Sequence, residues 1–517
     1  MTTGARAFWG AVVGALVTLV IHPSTRPFYL ADPARVQADP FEYLAPAKQA
    51  KLVAPASLTA AATWTQVATE KIDSGVGLSA KEMRTLSAIL AAAKRTEPLN
   101  SFWPQAEAAI LGSQSSDQEP VSLWLRSANL TEWNDHQSAR LLDIKQRLAS
   151  SSNARLSWHS AYAYFARSQS PSRQISRFGR RMVSRVDFTS ERGVSIRYAT
   201  IRNGNLMRAN AKSVATGDIG SQLVDIAAYP SELVTGSRPK RLYLGRNLVA
   251  NSLRAAGRGP DADDVLEIFQ NNDGWSALVQ RPDPTATARR LTLYSVLCAA
   301  VPQACLFLIG IGLAFGLIGS TLVEVARKHT LPRYSAVVAA LILAGVTYYF
   351  TRGIAAPISM FLCSLLTLLQ PTKLRSKLEG DAESSLGLLF QVAVFLISAS
   401  VATAILGSLV LSSLAGYALL QRADFVSHLH GDGMIALQAA LILASSLFLI
   451  PFWWAYVQKI ATLRVLSLSL KRFGWNLVGF GMVSAAIAGP VCFAIDRSLE
   501  DTWTKLLTNE PVYYLQQ

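Results

Sequence analysis

The sequence predicts a mainly α-helical membrane protein, in which a helical extramembrane domain is followed by a bundle of about six C-terminal spans. Half of the 517 residues are hydrophobic and 16% are charged, where an ordinary soluble domain carries about 25% charged residues. The mean hydropathy is +0.26, and uninterrupted apolar runs of bilayer-crossing length follow residue 290. These observations exclude a wholly soluble enzyme, a disordered chain and a collagen-like fibre.

The N-terminal segment, residues 1–22, is predicted to be a signal-anchor or a signal peptide. Its apolar run, Ala7–Ile21, follows a single basic residue, Arg6. No small-x-small cleavage triplet comes directly after the run, and Gly10 and Gly14 form a GxxxG step that favours close helix contact. An anchor is therefore the preferred interpretation. The run is short for a span, which leaves cleavage as the alternative.

A proline-rich linker, residues 23–49, precedes the extracytoplasmic domain, residues 50–280, whose apolar periodicity is mainly helical. One predicted helix opens with Ser79 and Glu82, which are spaced as a capping box. The stretch Met182–Ile201 is ambiguous, because its β-branched residues and central turn fit either a β-hairpin or two helix fragments.

The clearest helix pair in the domain is Leu242–Ala256 followed by Asp261–Gln270. Its small, large and glycine positions resemble those of a tetratricopeptide repeat, and Phe102–Ala128 has the outline of a second pair. The resemblance implies stacked helix pairs that form a protein-binding surface. The alternative is an ordinary helical domain without repeats. The positions that match are Ala250, Leu253, Gly257, Ala262 and Leu266.

The formal net charge of +15 comes mostly from the extramembrane domain. No compact basic motif of a nucleic-acid binder is present, so we expect no nucleic-acid partner. One arginine-rich stretch alternates with apolar residues at helical spacing, and two interpretations fit it. Either the helix rests on anionic membrane lipid, or its apolar stripe packs into the domain core while the arginines face water, which we prefer. The arginines are Arg167, Arg173, Arg177, Arg180, Arg181 and Arg185.

A polar linker, residues 281–290, leads into the predicted transmembrane domain, residues 291–517. Its run 386–420 is long for one span, and we expect one long or bent helix rather than two spans. The six predicted spans are Leu291–Val323, Tyr334–Phe350, Ile354–Leu369, Leu386–Leu420, Met434–Val457 and Trp475–Ile495.

The basic residues between the spans predict the orientation, because Lys and Arg are retained on the cytoplasmic side. Three alternate loops hold ten basic residues, and the other loops with the C-terminal tail hold four. We therefore expect a multi-pass protein of the inner (cytoplasmic) membrane, with the large domain and the C terminus outside the cytoplasm. The ten are Arg327, Lys328, Arg333, Lys373, Arg375, Lys377, Lys459, Arg464, Lys471 and Arg472.

Small residues recur at four-residue spacing within the spans, which indicates close helix packing, either inside one chain or between copies of it. They are Gly312, Gly316, Gly481, Ala485 and Gly489. The four cysteines lie in apolar runs and predict no disulfide framework in the extramembrane domain. They are Cys298, Cys305, Cys363 and Cys492.

One loop, written HLHGDG, resembles the HxHxDH metal box of metallo-β-lactamase-type hydrolases. Gly433 replaces the last histidine, and the short loop between spans cannot hold that fold. A local zinc site remains chemically open, and polar loop residues without a metal are the preferred interpretation. We assign no catalytic, cofactor-binding or metal-binding residue. The residues concerned are Asp424, His428, His430 and Asp432.

The function expected from the sequence is that of a membrane scaffold or assembly protein, not an enzyme, which contacts membrane lipids and binds other proteins through its helical domain. No Asp, Glu, Lys or Arg lies deep inside a predicted span, which weighs against proton-coupled transport. A permease or channel-like subunit for an uncharged or lipidic substrate is the first alternative. A membrane enzyme acting on cell-envelope lipids is the second.

Overall fold

The computed structural model consists almost entirely of α-helices and forms two compact units. The bundle unit comprises Met1–Pro33 and Leu293–Ser498, and the helical domain comprises Ala34–Thr292 and Leu499–Gln517. Among the described residues there is no strand, only an isolated bridge between Asn100 and Glu132. The structure describes residues 3–30, 57–114, 118–152, 156–188, 190–229, 238–279, 284–328, 333–351, 354–368, 388–420, 438, 441–442 and 462–515.

The helices are numbered in chain order. In the bundle unit the chain begins with α1 (Thr3–Ile21) and α2 (Arg26–Leu30). The helical domain then holds α3 (Leu58–Asp73), α4 (Ala80–Thr96), α5 (Phe102–Gln114), α6 (Gln118–Ser127), α7 (Gln137–Ser152), α8 (Ser157–Phe165), α9 (Ser170–Ser184), α10 (Glu191–Asn210), α11 (Val214–Ala228), α12 (Arg238–Ala255) and α13 (Gly259–Val279). The remaining helices are α14 (Pro284–Lys328), α15 (Arg333–Thr351), α16 (Ala355–Leu368), α17 (Leu388–Leu420) and α18 (Thr462–Leu515).

Side-chain caps decide where several domain helices begin. The predicted capping box is confirmed at α4, where the Ser79 hydroxyl accepts from the Glu82 amide and the Glu82 carboxylate accepts from the Ser79 amide. At α10, the Ser190 hydroxyl accepts from the Gly193 amide at 3.0 Å. The ambiguous stretch Met182–Ile201 is therefore the end of one helix and the start of the next, because a capped helix start replaces the hairpin turn.

A buried polar network holds α5, α6 and α10 together. The Gln105 amide donates to the Asn203 side-chain oxygen at 3.0 Å and accepts from the Trp133 indole at 3.1 Å. Asn203 in turn donates to the Trp124 carbonyl and accepts from the Ser127 hydroxyl. Because the polar side chains of this network are buried and hydrogen-bonded to one another, the network fixes how the three helices meet.

The predicted small-residue positions pack inside the chain, where α14 crosses α18. A Cβ atom built on Gly474 would lie 2.1 Å from the Gly316 amide nitrogen, and one on Gly312 would lie 2.7 Å from the Val478 nitrogen. Gly481 is similarly close to Ile309, at 2.7 Å from its Cγ1. These backbones touch because no side chain separates them, as expected for small residues at helix crossings.

The N-terminal helices also pack against α18 within the bundle unit. The Tyr29 hydroxyl donates to the Ala485 carbonyl at 2.7 Å, and the Phe28 ring lies edge-on to Phe493. Gly489 makes room for the tyrosine, since a Cβ there would be 1.9 Å from the Tyr29 oxygen. The segment that follows the apolar run is therefore built into the bundle.

Three described helices are long and apolar enough to cross a membrane: Ala286–Val323, Phe390–Leu409 and Arg464–Leu515. Shorter apolar helices are Arg6–Ile21, Val337–Tyr349 and Ala355–Leu365. Within the predicted run 386–420, the described part Leu388–Leu420 is one continuous helix, α17. The predicted span 434–457 lies outside the described residues apart from positions 438, 441 and 442.

Two predicted boundaries differ from those observed. Helix α14 begins at Pro284, inside the predicted linker 281–290, because proline is well suited to the first turn of a helix, where its missing N–H is not needed. Residues 499–517 belong to the helical domain and not to the bundle, because polar and charged contacts described below hold them there.

Candidate functional site

The C-terminal segment is inserted into the helical domain through a buried carboxylate. Glu510 is 2% exposed and accepts hydrogen bonds from the Tyr164 hydroxyl, from Arg167 Nη1 at 2.6 Å and from the Val214 amide at 3.0 Å. Its own amide donates to the Lys212 carbonyl at 3.1 Å. We call the contacts of the described residues 499–515 with the rest of the domain the C-terminal clasp.

Backbone geometry explains how Glu510 reaches these partners. Helix α18 is interrupted at Asn509, whose φ of −156° and ψ of 86° are extended. The interruption turns the carboxylate of Glu510 toward the first turn of α11, where the Val214 amide has no partner within its helix. A negative charge at a helix N terminus also interacts favourably with the helix dipole. The Glu510 carboxylate therefore accepts hydrogen bonds from an arginine, a tyrosine and the N terminus of a helix.

A second group of contacts lies nearer the start of the clasp. Glu500 forms an ion pair with Lys145 and accepts from the Ser160 hydroxyl at 2.7 Å. Trp503 is fully buried, with its ring 5.4 Å from that of Tyr164. The clasp therefore combines an apolar anchor with two carboxylates. Glu500 binds α7 and α8, and Glu510 binds α8, the Arg167 side chain that follows it and the start of α11.

Burial shifts the pKa of two groups next to the clasp. Burial and the neighbouring Glu510 carboxylate raise the pKa of Tyr164, which keeps its hydroxyl protonated as a donor. Burial, with a smaller contribution from Lys145, lowers the pKa of His159 to about 3. His159 is 1% exposed and packs against the Trp158 ring. It is therefore a neutral core residue at physiological pH.

The arginine-rich helix α9 packs its apolar stripe into the domain core, as preferred from the sequence. Phe178 lies edge-on to Trp124 with ring centroids 5.4 Å apart, and Ile175 and Met182 are buried. Several arginines bind other parts of the domain instead of projecting freely into water: Arg177 pairs with Asp73, Arg181 donates to the Gly112 carbonyl, Arg180 donates to Gln222, and Arg167 pairs with Glu510. Arg173 and Arg185 are exposed.

The C-terminal half of α9 borders a cleft of about 650 Å³. We call it the α9–α11 cleft. Arg197, on α10, is 5% exposed and lines it; its Nη1 donates to the Ala227 carbonyl at 2.7 Å, and its guanidinium lies 4.0 Å from the Phe188 ring centroid. Burial lowers the pKa of Arg197 to about 10. The lining residues are Arg180, Arg181, Val183, Ser184, Arg197, Gln222, Asp225, Ile226, Tyr229 and Leu242.

The helix pair that resembles a tetratricopeptide repeat is present as α12 and α13. Ala250, Leu253 and Ala262 are buried, and Gly257 has a φ of +73° between the two helices, a conformation that favours glycine at the end of a helix. The second expected pair corresponds to α5 and α6. The repeat itself stays a prediction, because a single pair of helices is common to many helical domains.

The remaining predicted sites are the residues of the HLHGDG loop and the four cysteines. Asp424, His428, His430 and Asp432 lie outside the described residues. Within the part of the chain that the structure describes, no group of three or more His, Cys, Asp or Glu side chains could hold a metal ion. All four cysteines are buried and free of disulfides. Glu510 and Arg197 were not predicted from the sequence, because each has only its charge as a signal and no motif surrounds it.

Comparison with known proteins finds no matching family model, no similar curated protein and no similar solved structure. The class of protein is therefore defined by the fold alone. It is a helical protein in which three of the described helices are long and apolar enough to span a membrane, joined to a separate helical domain.

Proposed function

We propose that the chain is an integral membrane scaffold or assembly protein, whose helical domain lies outside the cytoplasm and binds other proteins. The observation that carries this proposal is the C-terminal clasp. The chain passes between the bundle unit and the helical domain at three places, after Pro33, after Thr292 and after Ser498. A domain attached to a bundle by three chain segments suits a protein that holds a partner at the membrane.

The clasp also supports the proposed topology. Because Ala34–Thr292 and Leu499–Gln517 belong to one folded domain, the chain between Thr292 and Leu499 must cross the bilayer an even number of times. Six spans satisfy this condition, and the continuity of α17 as one helix agrees with that number. The excess of basic residues in the alternate loops then favours a domain and a C terminus outside the cytoplasm.

Retention of the N-terminal segment fits the same arrangement. Tyr29 donates to the Ala485 carbonyl and occupies the space above Gly489, so removal of the first helices would expose this part of α18. We propose that α1 is an uncleaved anchor. Its N terminus, with Arg6, would then face the cytoplasm, as the positive-inside rule favours.

Partner binding is supported by the way the helical domain holds its own C-terminal helix. Trp503 is buried, and Glu500 and Glu510 pair with Lys145 and Arg167. An aromatic anchor surrounded by charged pairs is the kind of contact by which helical domains bind helices of other proteins. The helix pair of α12 and α13 offers further surface of the same kind.

The test is purification of the tagged full-length protein after crosslinking in its own membrane, followed by mass spectrometry of the complex. The proposal predicts a stoichiometric protein partner whose crosslinks map to residues 57–279. A matched control carries the same tag on a chain that lacks those residues and should lose the partner. A single species without a partner, together with substrate flux in proteoliposomes made from the purified chain, would contradict the proposal in favour of a permease.

A further inference from the structure

Arg197 is a buried cation in the α9–α11 cleft that pairs with no carboxylate among the described residues. Its Nη1 donates to the Ala227 carbonyl, its guanidinium lies over the face of Phe188, and Asp187 acts on its charge without forming an ion pair. Its Nε has no hydrogen-bond partner. A buried charge is costly unless it is paired and hydrogen-bonded, so this arginine is an unusual residue for a purely structural position.

Two other arginines of the domain, Arg208 and Arg246, show how many polar partners a structural guanidinium has here. Arg208 donates to Asn272 and Asn205, and Arg246 pairs with both Asp225 and Asp273. Asp225 also lines the α9–α11 cleft, but its carboxylate is taken by Arg246 at 3.0 Å. The acidic side chain that lines the cleft is thus paired with Arg246. The carboxylate that acts on the charge of Arg197 is Asp187, which does not line the cleft.

The guanidinium geometry and the rest of the cleft indicate what would bind there. Arg197 lines the cleft with Nη1 donating to the Ala227 carbonyl and with a buried Nε that has no hydrogen-bond partner. Guanidinium groups bind carboxylate and phosphate groups through charge-assisted hydrogen bonds. Arg180, which is exposed on the same cleft, adds a second positive charge. Beside these charged groups, Val183, Ile226 and Leu242 give the cleft an apolar wall.

We infer that the α9–α11 cleft is a binding site for a small amphiphilic anion, in which a carboxylate or phosphate group is joined to an apolar chain. The anionic group binds Arg197 and Arg180, and the apolar chain lies against Val183, Ile226 and Leu242. The volume of about 650 Å³ is within the range of about 300–1,000 Å³ found for small-molecule sites. Such an anion is either a free molecule or the headgroup and first chain carbons of a membrane lipid.

The experiment uses the full-length protein in phosphatidylcholine nanodiscs and titrates hexyl phosphate by isothermal calorimetry. Inorganic phosphate and 1-hexanol serve as ligands that lack one half of the proposed chemistry. The same titration in nanodiscs that contain phosphatidylglycerol distinguishes the two sources of the anion. If binding of hexyl phosphate is lost there, a lipid headgroup occupies the cleft; if binding persists, the ligand is a free molecule.

Charge-neutral variants then locate the site. Arg197→Gln should weaken binding of hexyl phosphate by about tenfold to a hundredfold, the loss expected for a charge-assisted hydrogen bond. Arg180→Gln, at an exposed position that folding does not need, should weaken it severalfold. The matched control is Arg254→Gln, which removes an exposed arginine paired with Asp263 and should leave binding unchanged.

Three results would overturn the inference. One is the absence of saturable binding of hexyl phosphate in phosphatidylcholine nanodiscs. Another is equal affinity for hexyl phosphate and 1-hexanol, since the arginines would then contribute nothing. The third is an Arg180→Gln variant that binds as tightly as the native protein while Arg254→Gln binds more weakly, which would indicate an effect of overall charge.

Discussion

Replacing Glu510 with alanine should destabilise the helical domain more than any exposed charge substitution. The variant leaves Arg167, whose side chain is 8% exposed, without its carboxylate. It also removes the acceptor of the Tyr164 hydroxyl and of the Val214 amide. Breaking one side of a buried ion pair costs about 3–5 kcal/mol, and the loss of the two further hydrogen bonds is part of the same coupled network and does not simply add.

The expected shift of the unfolding temperature follows from that free energy. For a domain of this size, each kcal/mol lowers the midpoint by about 2–4 °C, so Glu510→Ala should lower it by about 6–20 °C. The assay is differential scanning fluorimetry of the full-length protein in detergent. Hydrogen exchange of the peptide that contains Trp503 reports local opening of the clasp separately from unfolding of the bundle.

Matched variants make this prediction specific to the buried pair. Glu500→Ala removes a carboxylate that is 24% exposed and should cost only about 1 kcal/mol. The double variant Arg167→Met with Glu510→Leu should be more stable than Glu510→Ala alone, because no unpaired charge remains. If Glu510→Ala unfolds within about 2 °C of the Arg254→Ala variant, whose exposed pair is worth little, the clasp does not hold the domain together.

Three further predictions concern other parts of the molecule. Gly474→Leu should abolish a monodisperse bundle in size-exclusion chromatography, because even a Cβ there meets Gly316 at 2.1 Å, whereas Gly345→Leu, with nothing within 4 Å of its Cβ, should not. Gly489→Val should displace Tyr29 and make the N-terminal segment sensitive to protease, and an unchanged digestion pattern would contradict that packing. His159 is neutral when folded, since burial lowers its pKa from 6.5 to about 3; the unfolded chain therefore takes up a proton first, and stability should fall as the pH drops from 6.5 toward 3. The His159→Gln variant should take up as much as one proton fewer on unfolding, so its unfolding midpoint should depend less on pH. An equal slope of the midpoint against pH in both proteins would refute the assignment of His159 as a neutral core residue.

Features set by nearby residues could be predicted from the sequence. The capping box of Ser79 and Glu82 involves residues three positions apart, and the helix pair of α12 and α13 is separated by Gly257. The apolar stripe of α9 likewise predicts its own burial, because helical periodicity places it on one face. These features depend on local spacing, and the structure contains each of them.

Features set by distant residues could not be predicted in the same way. Glu510 and Arg167 are 343 positions apart, and no pattern around either indicates the other. The cleft at Arg197 is formed by side chains from several helices, so it exists only after they pack. The predicted polar linker 281–290 contains Pro284, yet α14 begins at this residue, because the first turn of a helix accommodates proline.

The ambiguous stretch Met182–Ile201 shows how a single cap can outweigh residue preferences. Its β-branched residues favour a strand, and the short turn between its two halves suits a hairpin. In the structure the Ser190 hydroxyl accepts from the Gly193 amide and starts α10, and Val194 and Ile196 are buried in the core of the domain. The Ser190 cap and the burial of Val194 and Ile196 therefore stabilise a helix in this stretch, although its β-branched residues favour a strand.

The most direct test of the account is the reactivity of single introduced cysteines in right-side-out membrane vesicles. The native cysteines are buried, and the sites chosen are Lys81 in the helical domain, Lys505 in the clasp, both exposed, and Lys373 in a predicted cytoplasmic loop. If the helical domain and the C terminus lie outside the cytoplasm, Lys81→Cys and Lys505→Cys should react with a membrane-impermeant maleimide before the vesicles are opened, and Lys373→Cys only afterwards. Opposite accessibility of Lys81→Cys and Lys505→Cys, or reaction of Lys373→Cys in closed vesicles, would contradict it.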